Sequence, residues 1–88
     1  MDAALEGPVV TIQNLKFSPD VIRIHRGATI TWVNEDDFVH TVTADDASFD
    51  TGTFEPGESA RVSFDGTGTY SYFCTPHPFM KATVVVED

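Results

Sequence analysis

Apolar and polar residues alternate in short runs along most of this chain, which is the pattern of half-buried β-strands. The clearest run covers residues 59–64, where Ala60, Val62 and Phe64 share one face and the residues between them are polar. No window shows the period of about 3.6 residues that an amphipathic helix requires. The pattern predicts strands at residues 9–17, 21–25, 29–34, 40–44, 49–54, 59–64, 69–74 and 82–87.

One of these runs changes phase. Its apolar positions are first Val10 and Ile12 and then Leu15 and Phe17. Because a shift of one residue moves side chains to the other face, the change predicts a bulge or a strand end near residues 13–14.

Turn residues separate the strands at intervals of about 8–12 residues. The segment 35–37, Glu-Asp-Asp, is interpreted as an acidic, solvated turn. Seven to eight short strands with this spacing predict an all-β fold, specifically an antiparallel Greek-key β-sandwich. We expect residues 1–8 to be a flexible lead-in and residues 9–88 to form a single domain.

The charge of the chain limits its partners. Fourteen acidic and five basic residues give a formal net charge of −9 at pH 7. Binding to nucleic acid or to an anionic membrane surface needs a basic face, so neither is expected. No apolar run approaches about 18 residues, so we also expect no membrane insertion. The N-terminal residues lack the basic and apolar regions of a signal peptide, which indicates either a mature form or a cytoplasmic protein.

The most informative motif is Cys-x2-His-x2-Met, formed by Cys74, His77 and Met80. A thiolate, an imidazole and a thioether together favour copper over zinc, magnesium or calcium. His40, at the start of a predicted strand, offers a second imidazole. Cysteine, two histidines and a distant methionine are the donor set of a blue-copper electron-transfer site. Pro76 and Pro78 stiffen this loop, because each fixes its own φ and restricts the residue before it.

Each candidate ligand also has a simpler interpretation. Cys74 is the only cysteine, so it forms no internal disulfide and alone would be an inert buried thiol. His40 alone would be a structural histidine, and Met80 would be a core residue. Zinc competes with copper, but a thioether is a poor zinc ligand and no second cysteine exists. His25 is interpreted as an exposed structural residue.

Residues 70–87, YSYFCTPHPFMKATVVVE, resemble the C-terminal end of the amicyanin-like proteins in the plastocyanin-like branch of the cupredoxins. Residues 27–34 and 40–42 also match that branch. The resemblance implies a cupredoxin-type sandwich with one type 1 copper ion per chain, shuttling single electrons outside the cytoplasm, in the periplasm or at the cell surface. It implies that His40, Cys74 and His77 are the equatorial copper ligands and that Met80 is the axial ligand.

The resemblance further implies transient redox protein partners that dock on an apolar patch around the loop histidine. Here that patch comprises Val39, Pro76, His77, Pro78 and Phe79. We expect a monomer. An exposed apolar patch with a rigid rim suits weak, fast encounters.

Three positions depart from the usual pattern of this branch. Val39 stands where proline is frequent, Thr41 where asparagine is frequent and Ala82 where glycine is frequent. The position of Thr41 tunes hydrogen bonding to the Cys74 sulfur and to the residue after it, so this departure leaves the reduction potential open. A copper-binding or copper-delivery module without electron transfer stays an alternative function, as does a purely structural sandwich. A copper enzyme would need further histidine-bound coppers, and because only His25 is left over, no enzymatic activity is expected.

Overall fold

The computed structural model describes residues 7–88, and within that range it contains eight β-strands and no helix. The strands are β1 (Val9–Gln13), β2 (Lys16–Ser18), β3 (Val21–His25), β4 (Thr29–Asn34), β5 (Thr43–Ala44), β6 (Ser59–Ser63), β7 (Gly68–Cys74) and β8 (His77–Glu87). They form two four-stranded sheets, ordered β2-β1-β4-β6 and β3-β8-β7-β5. The predicted all-β sandwich of seven to eight strands is confirmed.

The expected lead-in falls mostly outside the described residues. Of its last two residues, Pro8 accepts a hydrogen bond from the Thr31 backbone N–H at 3.1 Å. No helix of the described residues is long and apolar enough to cross a membrane.

Two strand pairings are parallel, so both sheets are mixed and the predicted antiparallel arrangement does not hold at these two pairings. Val10 in β1 lies opposite Trp32 in β4, and Ile22 in β3 lies opposite Val84 in β8, both in parallel register. In each case the chain passes through the other sheet between the two strands. The alternation of apolar and polar residues within a strand does not indicate whether a neighbouring strand runs parallel or antiparallel when the chain between them passes through the other sheet.

The first predicted strand, residues 9–17, is in fact a hairpin. Asn14 and Leu15 have φ values of 56° and 58°, and Gln13 pairs with Lys16 across them. Two successive positive φ values are typical of the tight turns whose twist matches a β-hairpin. The predicted strand end near residues 13–14 is confirmed, and the phase change marks the reversal of the chain.

The predicted strand at residues 49–54 is absent. Only two isolated bridges form there, His40 with Phe54 and Thr43 with Asp50. Oδ1 of Asp50 accepts a hydrogen bond from the Gly52 N–H at 2.9 Å, and this local contact competes with a ladder. The predicted strand at residues 40–44 is shorter than expected and comprises only β5, because residues 49–54 do not provide it with a continuous partner strand. The last strand begins at residue 77 instead of residue 82.

The core lies between the two sheets and draws on both of them. Trp32 of β4 and Tyr72 of β7 are almost completely buried, and the Trp32 Nε1–H donates to Tyr72 Oη at 3.2 Å. Burial raises the pKa of Tyr72 to about 12, so this phenol stays neutral well into the alkaline range. One core shared by both sheets supports the prediction of a single domain over residues 9–88, which stays a prediction.

We predict that Tyr72→Phe lowers the free energy of unfolding by about 1–3 kcal/mol, because it leaves the buried Trp32 N–H without its acceptor. Denaturant unfolding of the copper-free protein measures this loss. Tyr70→Phe is the matched control, since it removes the same hydroxyl from an exposed contact with the Gly66 carbonyl. Equal losses of unfolding free energy in the two variants would contradict a stabilising role of the hydrogen bond between Trp32 and Tyr72.

Candidate metal centre

Cys74 and His77 are brought together by the turn between the last two strands. Cys74 ends β7, His77 begins β8, and the two residues pair directly across Thr75 and Pro76. Residues paired across antiparallel strands point to the same face. The spacing Cys-x2-His therefore puts the thiol and the imidazole side by side, with 3.7 Å between Cys74 Sγ and His77 Nδ1.

A bulge in β8 follows this pair. Phe73 pairs with Lys81, whereas the next residue of β7 pairs with His77, so residues 78–80 have no partner in the ladder. Pro78 suits this position because it has no N–H to donate. Within the bulge, Phe79 is 67% exposed, while Met80 is buried in the same apolar core cluster as Cys74.

His40 reaches the site from a different part of the chain. Its backbone forms two hydrogen bonds with that of Phe54, and its side chain is completely buried. His40 Nδ1 lies 3.3 Å from Cys74 Sγ. One ligand atom from each of His40, Cys74 and His77 lies within 4.8 Å of the others.

This spacing fits a single metal ion. Bonds of about 2.0–2.3 Å from nitrogen and sulfur to a metal in tetrahedral geometry separate two ligand atoms by roughly 3.5 Å. The two contacts of Cys74 Sγ, at 3.3 Å and 3.7 Å, bracket that value. A thiolate with two imidazoles is also the donor set that a copper ion of the blue type prefers.

Thr41 ties the His40 segment to the Cys74 segment. Its backbone N–H donates to Cys74 Sγ at 3.4 Å. Its hydroxyl accepts a hydrogen bond from the Thr75 N–H at 2.9 Å and lies 3.0 Å from the hydroxyl of Thr43, which in turn donates to Asp50. Thr41 therefore links its segment to Thr75 through its hydroxyl group. At the position of Thr41, asparagine is frequent in this branch.

Asp36 contacts His40, and the sequence did not predict this contact. Its Oδ2 lies 3.0 Å from His40 Nε2 and accepts a hydrogen bond from the Leu15 N–H at 2.9 Å. Burial opposes its ionisation, but hydrogen bonds from Leu15, His40 and Asp37 outweigh burial and hold the pKa of Asp36 below its usual range. The expectation of a solvated turn is wrong at its middle residue, because the side chain of Asp36 is only 9% exposed. The four-residue spacing of Asp36 and His40 did not predict this contact, because residues four apart are expected to be neighbours only in a helix.

The surface above the site is aromatic. His77 is partly exposed between Phe38 and Phe79, with ring centroids 5.9 Å and 6.1 Å from its own. Phe38 is 50% exposed and was not among the residues predicted for the apolar patch. We call Phe38, His77 and Phe79 the aromatic patch. Of the predicted neighbours, Pro76 and Pro78 are exposed and Val39 is partly buried.

His25 takes no part in the site. It ends β3 with an exposed side chain, and its Nδ1 lies 3.4 Å from the carbonyl of Asp88. Its interpretation as an exposed structural residue agrees with this position.

A profile of the family described as "Copper binding proteins, plastocyanin/azurin family" matches residues 8–87. The chain belongs to this family. It is 34% identical to amicyanin-alpha of Methylorubrum extorquens, over 99% of this chain and 81% of that protein. It is 37% identical to plastocyanin of Scenedesmus fuscus, over 83% and 88%.

Solved structures agree with this assignment. A reduced mutant of amicyanin superimposes with a TM-score of 0.86 at 32% identity, over 93% of this chain and 84% of that chain. The predicted resemblance to the amicyanin-like and plastocyanin-like cupredoxins is confirmed. Family membership and the cluster of His40, Cys74 and His77 make this protein a copper-binding electron carrier of the type 1 class and not an enzyme.

We predict that Thr41→Val destabilises the copper-free protein by about 1 kcal/mol, because valine keeps the shape but removes the acceptor of the Thr75 N–H. Thermal and denaturant unfolding measure the loss. Thr69→Val, at an exposed position of β7, makes the same chemical change away from the site. A Thr41→Val protein as stable as this control would show that the hydroxyl does not hold the two segments together.

Proposed function

We propose that the chain binds one copper ion through His40, Cys74 and His77 as equatorial ligands, with Met80 as the axial ligand. The observation that carries this proposal is the convergence of one sulfur and two imidazole nitrogens, contributed by two distant segments, at the spacing of one metal ion. Met80 supports it by its burial three residues beyond His77, in the bulge that turns it toward the core.

Copper, when bound, supplies the redox change between Cu(II) and Cu(I). The chain holds the donor atoms in a nearly fixed arrangement. Cys74 and His77 are fixed by their cross-strand pairing, and His40 by its bridge to Phe54. Ligands that do not need to rearrange favour fast exchange of an electron.

The burial of the donors argues against a copper-delivery module. His40 and Cys74 are both completely buried, so a transfer of copper to another protein would require this end of the sandwich to open. Complete release of copper to a chelator within seconds, combined with slow electron exchange, would instead favour delivery as the function.

We propose that electrons pass through His77 to transient redox proteins. His77 is the one partly exposed member of the cluster formed with His40 and Cys74. The docking surface comprises the aromatic patch together with Val39, Pro76 and Pro78. Exposed rings around a rigid turn suit weak and brief contacts between monomeric proteins. We also propose an extracytoplasmic location, periplasmic or at the cell surface, as the family resemblance implies.

The ligand set predicts a defined spectrum. Cu(II) added to the metal-free protein should produce an intense visible thiolate band that saturates at one equivalent, and Cys74→Ala should abolish it. Met80→Leu should keep the band but shift the reduction potential, because the axial ligand tunes the potential without supplying the thiolate. A colourless stoichiometric copper complex of the unmodified protein would contradict the proposal.

The docking surface predicts the effect of a new charge. Phe79→Asp should slow electron self-exchange between the Cu(I) and Cu(II) forms by about tenfold or more, because a carboxylate on a chain of net charge −9 repels the second molecule at the point of contact. Line broadening in NMR spectra of mixed oxidation states measures the rate. Val21→Asp adds the same charge at a similarly exposed residue of β3, 52% exposed. If both variants slow exchange equally, the aromatic patch is not the contact surface.

A further inference from the structure

A line of side-chain hydrogen bonds runs from the surface to the segment that carries Cys74. Asp50 Oδ1 accepts from the Thr43 hydroxyl at 3.2 Å, and the hydroxyl oxygens of Thr43 and Thr41 are 3.0 Å apart. The Thr41 hydroxyl in turn accepts from the Thr75 N–H at 2.9 Å. Asp50 is exposed, Thr43 is partly buried and Thr41 is buried, so the line begins in water and ends beside the proposed metal centre.

The carboxylate at the outer end gives this line one direction. An ionised carboxylate only accepts hydrogen bonds, whereas a hydroxyl has one hydrogen to donate and two lone pairs with which to accept. Since Thr43 donates its hydrogen to Asp50, its oxygen is free to accept from Thr41. The Thr43 oxygen is also closer to the Thr41 hydroxyl than the Thr75 hydroxyl is, at 3.0 Å against 3.3 Å. Thr41 therefore donates toward Asp50 and keeps a lone pair for the Thr75 N–H.

Asp50 is itself held in place by several contacts of its loop. Its Oδ1 also accepts from the Gly52 N–H at 2.9 Å, and its backbone forms a bridge with that of Thr43. The next residue, Thr51, accepts from the Val42 N–H through its hydroxyl and donates its own N–H to the Val42 carbonyl. These contacts keep the carboxylate where the Thr43 hydroxyl reaches it, so Asp50 is a fixed end for the line.

Thr41 is the residue on which the line acts. Its backbone N–H donates to Cys74 Sγ at 3.4 Å and its hydroxyl accepts from the Thr75 N–H, so it contacts two consecutive residues of the other segment. A threonine hydroxyl can occupy different staggered positions, and only one of them makes the link to Thr75. Hydrogen bonds in a chain that ends on a charged group strengthen one another. The bonds to Thr43 and Asp50 therefore favour the orientation that joins Thr41 to Thr75.

We propose that Asp50 is a positioning residue, which acts through Thr43 to fix the orientation of Thr41. The fixed Thr41 in turn keeps its hydrogen bonds with Thr75 and with the Cys74 sulfur. The effect on copper rests on the ligand set proposed above. A hydrogen bond to a thiolate withdraws electron density from the sulfur and so favours Cu(I), and hydrogen bonding around this sulfur is one determinant of the reduction potential. The line of hydrogen bonds therefore raises the reduction potential.

The first test uses the metal-free protein and measures the coupling between the two ends of the line. Asp50→Ala and Thr41→Val are made singly and together, and denaturant unfolding gives the unfolding equilibrium constant of each variant. We expect the double variant to depart from the product of the single effects by about threefold to tenfold, because the second substitution acts on a line that the first has already broken. Independent effects of the two substitutions would overturn the proposal.

Asp46→Ala is the matched control for this cycle. Asp46 Oδ1 accepts from the Ser48 N–H at 2.9 Å, as Asp50 Oδ1 accepts from the Gly52 N–H at 2.9 Å. Both aspartates are exposed, and each substitution removes one charge and one local contact, but only Asp50 belongs to the line. Asp46→Ala and Thr41→Val should therefore act independently. Equal coupling in the two cycles would show that the lost charge causes the coupling, and would refute the role of Asp50.

The second test uses the copper-loaded protein and compares Asp50→Ala with Asp50→Asn. Both variants lose the negative charge, but asparagine keeps an oxygen that can accept from the Thr43 hydroxyl. We expect Asp50→Ala to have the lower reduction potential of the two, because the Thr41 N–H is then held less firmly against the Cys74 sulfur. A redox titration of the visible thiolate band measures both potentials. If Asp50→Ala does not fold, Thr43→Val is compared with Thr43→Ser in the same way, because serine keeps the hydroxyl.

The outcomes distinguish this inference from the proposed ligand set. A copper complex without a blue band would refute the ligand set, and the cycle in the metal-free protein would still decide whether Asp50 positions Thr41. A blue protein with independent effects in the cycle would leave the ligand set standing and refute the positioning role. Coupling together with equal potentials would overturn the effect on the reduction potential and confine Asp50 to holding the two segments together.

Discussion

The pairing of Cys74 with His77 across a two-residue turn is the constraint on which the rest of the site depends. It fixes two donor atoms by backbone hydrogen bonding, independently of any metal. The remaining imidazole must then be brought to that pair from elsewhere, and the bridge between His40 and Phe54, with the contacts of Thr41, does so. The pairings within the sandwich hold these segments together at one end of the fold. Copper should therefore bind to a largely formed site and stabilise the folded state.

The arrangement divides the site into a dry inner part and an accessible outer part. His40 and Cys74 lie inside, where low polarity strengthens each hydrogen bond to the sulfur and the imidazole. His77 lies at the boundary, between two exposed rings. Under the proposed function, this division would let a partner approach the metal through His77 while water is kept from His40 and Cys74, as suits an electron carrier.

Much of this could be predicted from the sequence, because the signals were local. The alternation in β6 and β4 and the motif from Cys74 to Met80 involve residues close in the chain, where side-chain period and turn length decide the outcome. The parallel pairings of β1 with β4 and β3 with β8 could not be predicted, because they join strands separated by passages through the other sheet. The run at residues 49–54 has the composition of a strand, yet Asp50 and Gly52 satisfy each other locally.

The same distinction explains the candidate site. The proposed metal donors are rare residue types in a rare spacing, so the sequence alone indicates their chemistry. Asp36 and Phe38 are ordinary residues in a polar loop, and they contact His40 and His77 only because the loop folds over these two residues. Contacts of this kind depend on how the tertiary fold places the loop against the site, and this cannot be predicted from any single segment of the sequence.

The backbone amide of Leu15 gives the first hairpin an unexpected importance. The turn at Asn14 and Leu15 is far in sequence from every metal donor, yet its geometry directs that amide at Asp36. Inserting or deleting a single residue in this turn would shift the hairpin out of register and remove the amide from the carboxylate. A change in this turn of the N-terminal hairpin would thus reach the carboxylate that contacts His40.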